Sequence, residues 1–248
     1  MENLFSDNNL NIVLSPHLDD AVISLGAFIN TYKSNTQVIT IFSGKPENNK
    51  IRIWDLVCGF KNSSQAISSR LLENDAALTY LGLIKNNIIN FDFLDYQYVT
   101  KKEREQSKEN MNKILANKLL NILSINKERY INFFAPITKI HKDHEFVHDF
   151  LIYFKEICVN ENIKLRFFFY EDYPYFLKFK KSKDYLKYLN YEKIQISLNK
   201  EDLKFKINTI KLYKSQFKFL LIDLTKFLHK IEKGKEDIFN QEVIYKLI

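Results

Sequence analysis

The chain has 248 residues, with 37 Lys and Arg against 30 Asp and Glu, a formal net charge of +7. An apolar content of 46% with 15% aromatic residues supplies a large core and excludes intrinsic disorder, while five Gly and four Pro exclude collagen-like and linker-rich architectures. No apolar run approaches the ~18 residues of a membrane span, and the start, Met1 to Asp7, lacks a basic segment followed by an apolar one, so a soluble protein without a signal peptide is expected.

In chain order, short β-branched or aromatic runs alternate with helical patterns, as βαβ units of a mainly parallel sheet require. The first predicted strand runs from Asn11 to Ser15 and meets a helix that starts at Asp19 or Asp20 and ends near Lys33. A strand from Gln37 to Phe42 follows. The segment from Gly44 to Ser63, which holds Trp54, is longer than an ordinary connection and is a candidate mobile loop over a site. A helix capped at Ser63 or Ser64 runs to Leu81, where Gly82 supplies the stop. Next come a strand from Ile88 to Phe93, a helix from about Lys102 to Leu123, a strand from Tyr130 to Ala135 and a helix from His144 to Val159. A strand from Leu165 to Tyr170 precedes a looser stretch, Pro174 to Tyr188. The strand from Lys193 to Ser197 and the helix from about Lys200 to Tyr213 lead to a tail whose last residues, Glu242 to Ile248, read as strand or helix. No repeat or linker interrupts this pattern, so residues 1–248 read as one domain.

In such sheets function gathers at the carboxyl ends of the strands. Immediately after the first strand stands Ser15-Pro16-His17-Leu18-Asp19-Asp20-Ala21, an imidazole and two carboxylates at the mouth of a helix. His and Asp at i and i+3 can converge on one cation, leaving the other Asp free as a base. Capping explains one Asp but not the trio. After the fourth strand stands His141-Lys142-Asp143-His144, again at the start of a helix. Strands one and four of a doubly wound sheet are neighbours at the switch point, so the two loops face one crevice, and two His with one Asp make an open, catalytic zinc arrangement. The rival motif His144-Glu145-Phe146-Val147-His148 fits the H-E-x-x-H of metallopeptidases. Helical spacing, however, puts His148 with Lys155 toward the polar side, and the rival leaves His17, Asp19, Asp20 and His141 idle.

The ordered set of motifs resembles the LmbE/PIG-L-like zinc-dependent N-deacetylases. Pro16-His17-Leu18-Asp19-Asp20 resembles the family's opening P-H-x-D-D, and Arg70-x-x-Glu73 through Leu81-Gly82 resembles its R-x-x-E helix. Leu94-Asp95-Tyr96, His141-x-Asp143-His144, Tyr170-Glu171-Asp172-Tyr173-Pro174-Tyr175 and Tyr213-Lys214-Ser215-Gln216 continue the likeness, which covers about residues 10 to 217. The chain departs from the family at Ala21, where many members carry Glu. The resemblance implies a Rossmann-like three-layer α/β/α fold with a mainly parallel sheet. It also implies zinc, or another divalent ion, held by His17, Asp20 and His144. Asp19 would be the general base, His141, if protonated, the donor to the oxyanion, and Asp143 the residue that orients a histidine. The reaction implied is removal of an N-acetyl group from an N-acetylated sugar or glycoconjugate, releasing acetate and a free amine.

Arg70, Asp95, Glu171, Asp172 and Tyr173 are candidate substrate contacts, the Tyr as a stacking platform. Lys178 to Lys187 interleaves lysines with aromatics and supports the different-class alternative, a non-enzymatic protein that binds nucleic acid or another polyanion. Lysine-rich usage weakens that inference, so a nucleic-acid partner is disfavoured, and an oligomer is left open. Cys58 and Cys158 lack C-x-x-C spacing and read as reduced thiols of a cytoplasmic protein. The scarcity of glycine also argues against a Gly-rich phosphate loop, leaving the crevice available for a metal.

Overall fold

The computed structural model describes residues 4–159, 163–178, 185–188, 190–216 and 241–248. The chain runs β1 (Leu10–Ser15), α1 (Asp20–Thr31), β2 (Thr36–Thr40), α2 (Ile53–Val57), α3 (Ser63–Tyr80), β3 (Ile88–Asn90) and α4 (Lys101–Ile125). It continues through β4 (Ile131–Pro136), α5 (Lys142–Ile157), β5 (Leu165–Tyr170), α6 (Tyr175–Lys178), β6 (Tyr191–Ser197), α7 (Lys200–Ile210) and β7 (Gln241–Leu247). The strands form one seven-stranded sheet in the order β3-β2-β1-β4-β5-β7-β6. β3, β2, β1, β4 and β5 pair in parallel, whereas β7 pairs antiparallel with both β5 and β6.

The central strands β1, β4 and β5 read as near-continuous apolar runs because both faces of the sheet are covered there. Alternation within each strand separates two cores. Ile12 and Leu14 of β1, Phe133 and Ala135 of β4 and Phe167 and Phe169 of β5 pack with α4 and α5. Val13, Phe134 and Phe168 point the other way, into the layer of α1, α3 and α7. Phe28 of α1 meets Phe134 at 5.0 Å between centroids, and Phe134 stacks on Phe168 at 4.8 Å. Truncating one such ring costs about 3–5 kcal/mol.

Most expected elements are present. The tail is a strand, inserted between β5 and β6, and α2 is a short helix inside the segment expected to be a loop. The N-cap of α3 is Asn62, whose side chain accepts from Gln65 N, rather than Ser63 or Ser64. Gly82 ends that helix region with φ +91, a conformation suited to glycine. Gly44 answers to close packing: a Cβ there would stand 1.9 Å from Asp92 O. Among the described residues no helix is long and apolar enough to cross a membrane. The basic run from Lys178 to Lys187 falls largely outside the described residues.

Because β1 and β4 are adjacent and parallel, the loops entering α1 and α5 leave the same end of the sheet side by side. This adjacency assembles the site.

Candidate metal centre and active site

Ser15 shapes the first loop from both sides. Its hydroxyl donates to His17 O at 2.6 Å and accepts from Ala21 N at 3.0 Å. Asp20 then folds back to accept from His17 N at 2.8 Å, which brings His17 Nδ1 to 3.1 Å from the same Asp20 Oδ2. Asp19 occupies the N-cap position of α1 but makes no side-chain hydrogen bond to the helix, so capping does not account for it. The Ala21 methyl lies in the core between α1 and the sheet, and the loop is held by Ser15.

In the second loop His141 caps α5, its Nδ1 accepting from Asp143 N at 3.3 Å. That contact leaves Nε2 as the protonated nitrogen of a neutral ring. Asp143 is fully buried: Oδ1 accepts from Arg104 Nη2 at 2.8 Å, and Oδ2 accepts from Tyr96 N at 2.9 Å and lies 3.1 Å from His17 Nε2. His144 is fully buried too, with Nδ1 2.7 Å from Asp172 Oδ2 and Nε2 3.2 Å from Asp20 Oδ2.

The residues fit a divalent metal. Asp20 Oδ2 stands beside a nitrogen of His17 and one of His144. His144 Nε2, although buried, has no hydrogen bond of adequate geometry, as a ligand atom reserved for a cation would lack one. Each ring is also backed at its other nitrogen by a carboxylate, Asp143 behind His17 and Asp172 behind His144, the arrangement that orients metal-binding imidazoles. His141 offers a further nitrogen within 4.8 Å of the other two rings. A second grouping, His17 with Asp95 and Asp143, is the poorer donor set because Asp143 is already committed to Arg104 and Tyr96 N.

The charges follow from these contacts. Burial opposes the His17 imidazolium, but hydrogen bonds to Asp143 and Asp20 outweigh it and raise the pKa. The same contest at His144, between burial and the carboxylates of Asp20 and Asp172, lifts it to about 9. Burial and the adjacent Asp20 charge raise Asp19 to about 6. His141 goes the other way: burial and its cationic neighbour His17 lower it to about 4. That direction favours the neutral ring, with Nε2 as its donor.

A cavity of about 480 Å³ opens over the cluster, lined by His17, Asp19, Asp20, Arg70, Asp95 and His141. Arg70 is buried, 3.4 Å from Asp55 Oδ1, and with the Gln216 amide oxygen facing it donates to that oxygen at 2.8 and 3.1 Å. Its neighbours on α3 are engaged elsewhere, Glu73 with Ser215 and Asn74 with Tyr213. Asp95 accepts from Gln97 N at 2.9 Å and lies 3.9 Å from His17 Nε2. Tyr173 lines the cavity, but its hydroxyl is turned to Glu171. Two substrate assignments are corrected. Glu171 lies outside the cavity, accepting from the hydroxyls of Tyr173 and Tyr245, because successive residues leaving β5 point to opposite faces. Asp172 is wholly buried behind His144 and cannot reach a ligand.

His148 is likewise not on a polar face. It is 4% exposed, stacks on Phe169 at 4.2 Å and has Nδ1 3.2 Å from Pro136 O, so an H-E-x-x-H pair does not form. Further residues complete the wall: Trp54 of α2, from the segment singled out in the sequence as a candidate loop over a site, and three not assigned there, Tyr175, whose ring meets His144 at 4.6 Å, Tyr213 and Gln216. Tyr175, Tyr213 and Gln216 fall within the two aromatic motifs already noted in the sequence, which was the available signal. Arg104, behind Asp143, had none.

The family model described as PIG-L, GlcNAc-PI de-N-acetylase, matches residues 12–154, more than half of the chain. No curated protein matches the chain. Solved structures that resemble it include a deacetylase of the teicoplanin biosynthesis pathway in complex with bog, at 20% identity and TM-score 0.73, covering 96% of this chain and 97% of that one. The zinc-inhibited form of a teicoplanin deacetylase is 18% identical with TM-score 0.71 over the same shares of the two chains. An A40926 pseudoaglycone deacetylase is 18% identical with TM-score 0.70, again covering 96% and 97%. At these identities the likeness is one of fold.

Proposed function

The chain belongs to the PIG-L family of GlcNAc-PI de-N-acetylases, and from that membership we propose that it is a zinc-dependent hydrolase that removes the N-acetyl group from an N-acetylated sugar or glycoconjugate. The observation that carries this reading is the meeting of Asp19, free of any capping role, with His17 and Asp20 in one cavity, backed by buried His144 at 3.2 Å from Asp20 Oδ2.

His17, Asp20 and His144 would hold the metal, which when bound supplies Lewis acidity toward the amide carbonyl and lowers the pKa of water. Asp19 lines the cavity beside them and takes the proton from the attacking water. The tetrahedral oxyanion receives a hydrogen bond from Nε2 of neutral His141, a contact of a kind worth about 3 kcal/mol. Protonated Asp19 returns its proton to the departing nitrogen, so that acetate and a free amine leave. Asp143 holds His17 in place, and Arg70 and Asp95, with Trp54 and Tyr173 of the cavity wall, bind the sugar. We assign the whole chain to one deacetylase domain working in the cytoplasm, a setting supported by two free cysteines. Acetate release from a panel of N-acetylated sugars tests the proposal; full activity in Asp19→Ala or His144→Ala protein with metal present rejects it.

A further inference from the structure

We propose that Asp172 is a positioning residue that fixes the tautomer of His144 and so sets the affinity of the site for its metal, a role that rests on the metal-centre reading above. Both side chains are fully buried, and His144 Nδ1 lies 2.7 Å from Asp172 Oδ2. Asp172 is itself clamped from the loop after β4. Thr138 N donates to Oδ1 at 3.0 Å, and the Thr138 hydroxyl donates to Oδ2. A carboxylate held by those donors can only accept from His144, so Nδ1 must carry a hydrogen. In the neutral ring the lone pair then sits on Nε2, the atom that faces Asp20 without a hydrogen bond of its own.

Asparagine at this position would reverse the arrangement. Thr138 N still requires an acceptor, which holds the amide oxygen at the Oδ1 position and turns the NH2 group toward His144 Nδ1. The ring must then accept at Nδ1 and carry its hydrogen on Nε2, where a ligand lone pair is needed. Outer partners of this kind commonly change metal affinity by about 10- to 100-fold.

The experiment measures Zn2+ affinity by competition with a chromophoric chelator for the wild-type chain, Asp172→Asn, Thr138→Val and Glu171→Gln, with thermal melts to check folding. Glu171 is the neighbouring buried carboxylate, but it pairs with Tyr173 and Tyr245 and not with His144. The expected result is at least a tenfold loss in Asp172→Asn, a smaller loss in Thr138→Val, which removes one donor to Oδ2, and wild-type affinity in Glu171→Gln. Equal affinity of wild type and folded Asp172→Asn overturns the role of Asp172 alone. So does an equal loss in Glu171→Gln, which would mark a general charge effect. If Asp172→Asn does not fold, unchanged affinity in Thr138→Val overturns it. Failure of the wild-type chain to bind Zn2+ overturns the metal reading together with this one.

Discussion

His17 Nε2 and Asp143 Oδ2 lie 3.1 Å apart although 126 positions separate them in the chain. This contact ties the loop after β1 to the loop after β4. Behind it, Arg104 reaches from α4 to the other oxygen of Asp143 at 2.8 Å while lying over the Phe42 ring at 4.5 Å.

Arg104 should therefore matter for stability without touching substrate. Replacing Arg104 by Met keeps the apolar stem but leaves Oδ1 of the buried Asp143 carboxylate without its guanidinium partner, a change expected to cost about 3 kcal/mol. Urea unfolding of Arg104→Met against wild type measures it, and a difference below about 0.5 kcal/mol would mean the pair is idle.

The adjacent carboxylates of the first loop should separate cleanly. Asp19→Asn is expected to keep its metal and lose activity by about 10²- to 10⁴-fold, the usual contribution of a positioned general base. Asp20→Asn should lose metal as well. Metal content by atomic spectroscopy beside kcat distinguishes the two, and equal metal loss in both variants would refute separate roles.

The site was readable in the sequence to the extent that it is local. Pro16 to Asp20 and His141 to His144 sit where a parallel sheet puts strand ends, and the adjacency of β1 and β4 follows from the doubly wound order. What spacing could not give depends on contacts between distant elements. Glu171 and Asp172 look equivalent in sequence, yet alternation sends one to Tyr245 and the other to His144. His148 shares a helical face with Lys155, but α5 packs so closely on β5 that Phe169 covers it. The short helix α2 carries Trp54 to the cavity and is pinned by buried Asp55, which accepts from Tyr98 Oη at 2.7 Å. No periodicity within five residues could announce that.

His148 supplies a pH prediction. Burial, followed by the nearby Lys139, lowers its pKa from 6.5 to about 4 in the folded chain. The unfolded chain takes up that proton first, so the contribution is complete above pH 6.5 and is lost as pH falls toward 4. Between pH 7 and pH 5 wild type should lose about 2 kcal/mol more than His148→Phe, at 1.36 kcal/mol per pH unit. Parallel urea titrations test this, and identical acid slopes would contradict it. The same variant should retain bound metal, because His148 is not a ligand.

The helix α1 is kinked at Leu25 (φ −125, ψ 25), and Glu242 of β7 repairs the break by accepting from Ala27 N at 2.9 Å and Phe28 N at 2.8 Å. Lys206 balances its charge at 2.6 Å. Glu242→Ala should then destabilise the fold by about 3–5 kcal/mol, since it strands a buried ammonium and two backbone donors. A double substitution, Glu242→Leu with Lys206→Met, should cost less than the single change. Denaturant midpoints for both proteins decide, and a double variant that loses as much as or more than Glu242→Ala would oppose the coupling.

The central claim is that this chain is a metal-dependent N-deacetylase built on His17, Asp19, Asp20 and His144. Its most direct test is acetate release from N-acetylated sugars by purified protein, measured before chelation, after removal of metal by a chelator, and after restoration with Zn2+. The account predicts release that disappears on chelation, returns with Zn2+ and is absent at every stage in Asp19→Ala. Release that persists undiminished in the chelated protein would contradict it.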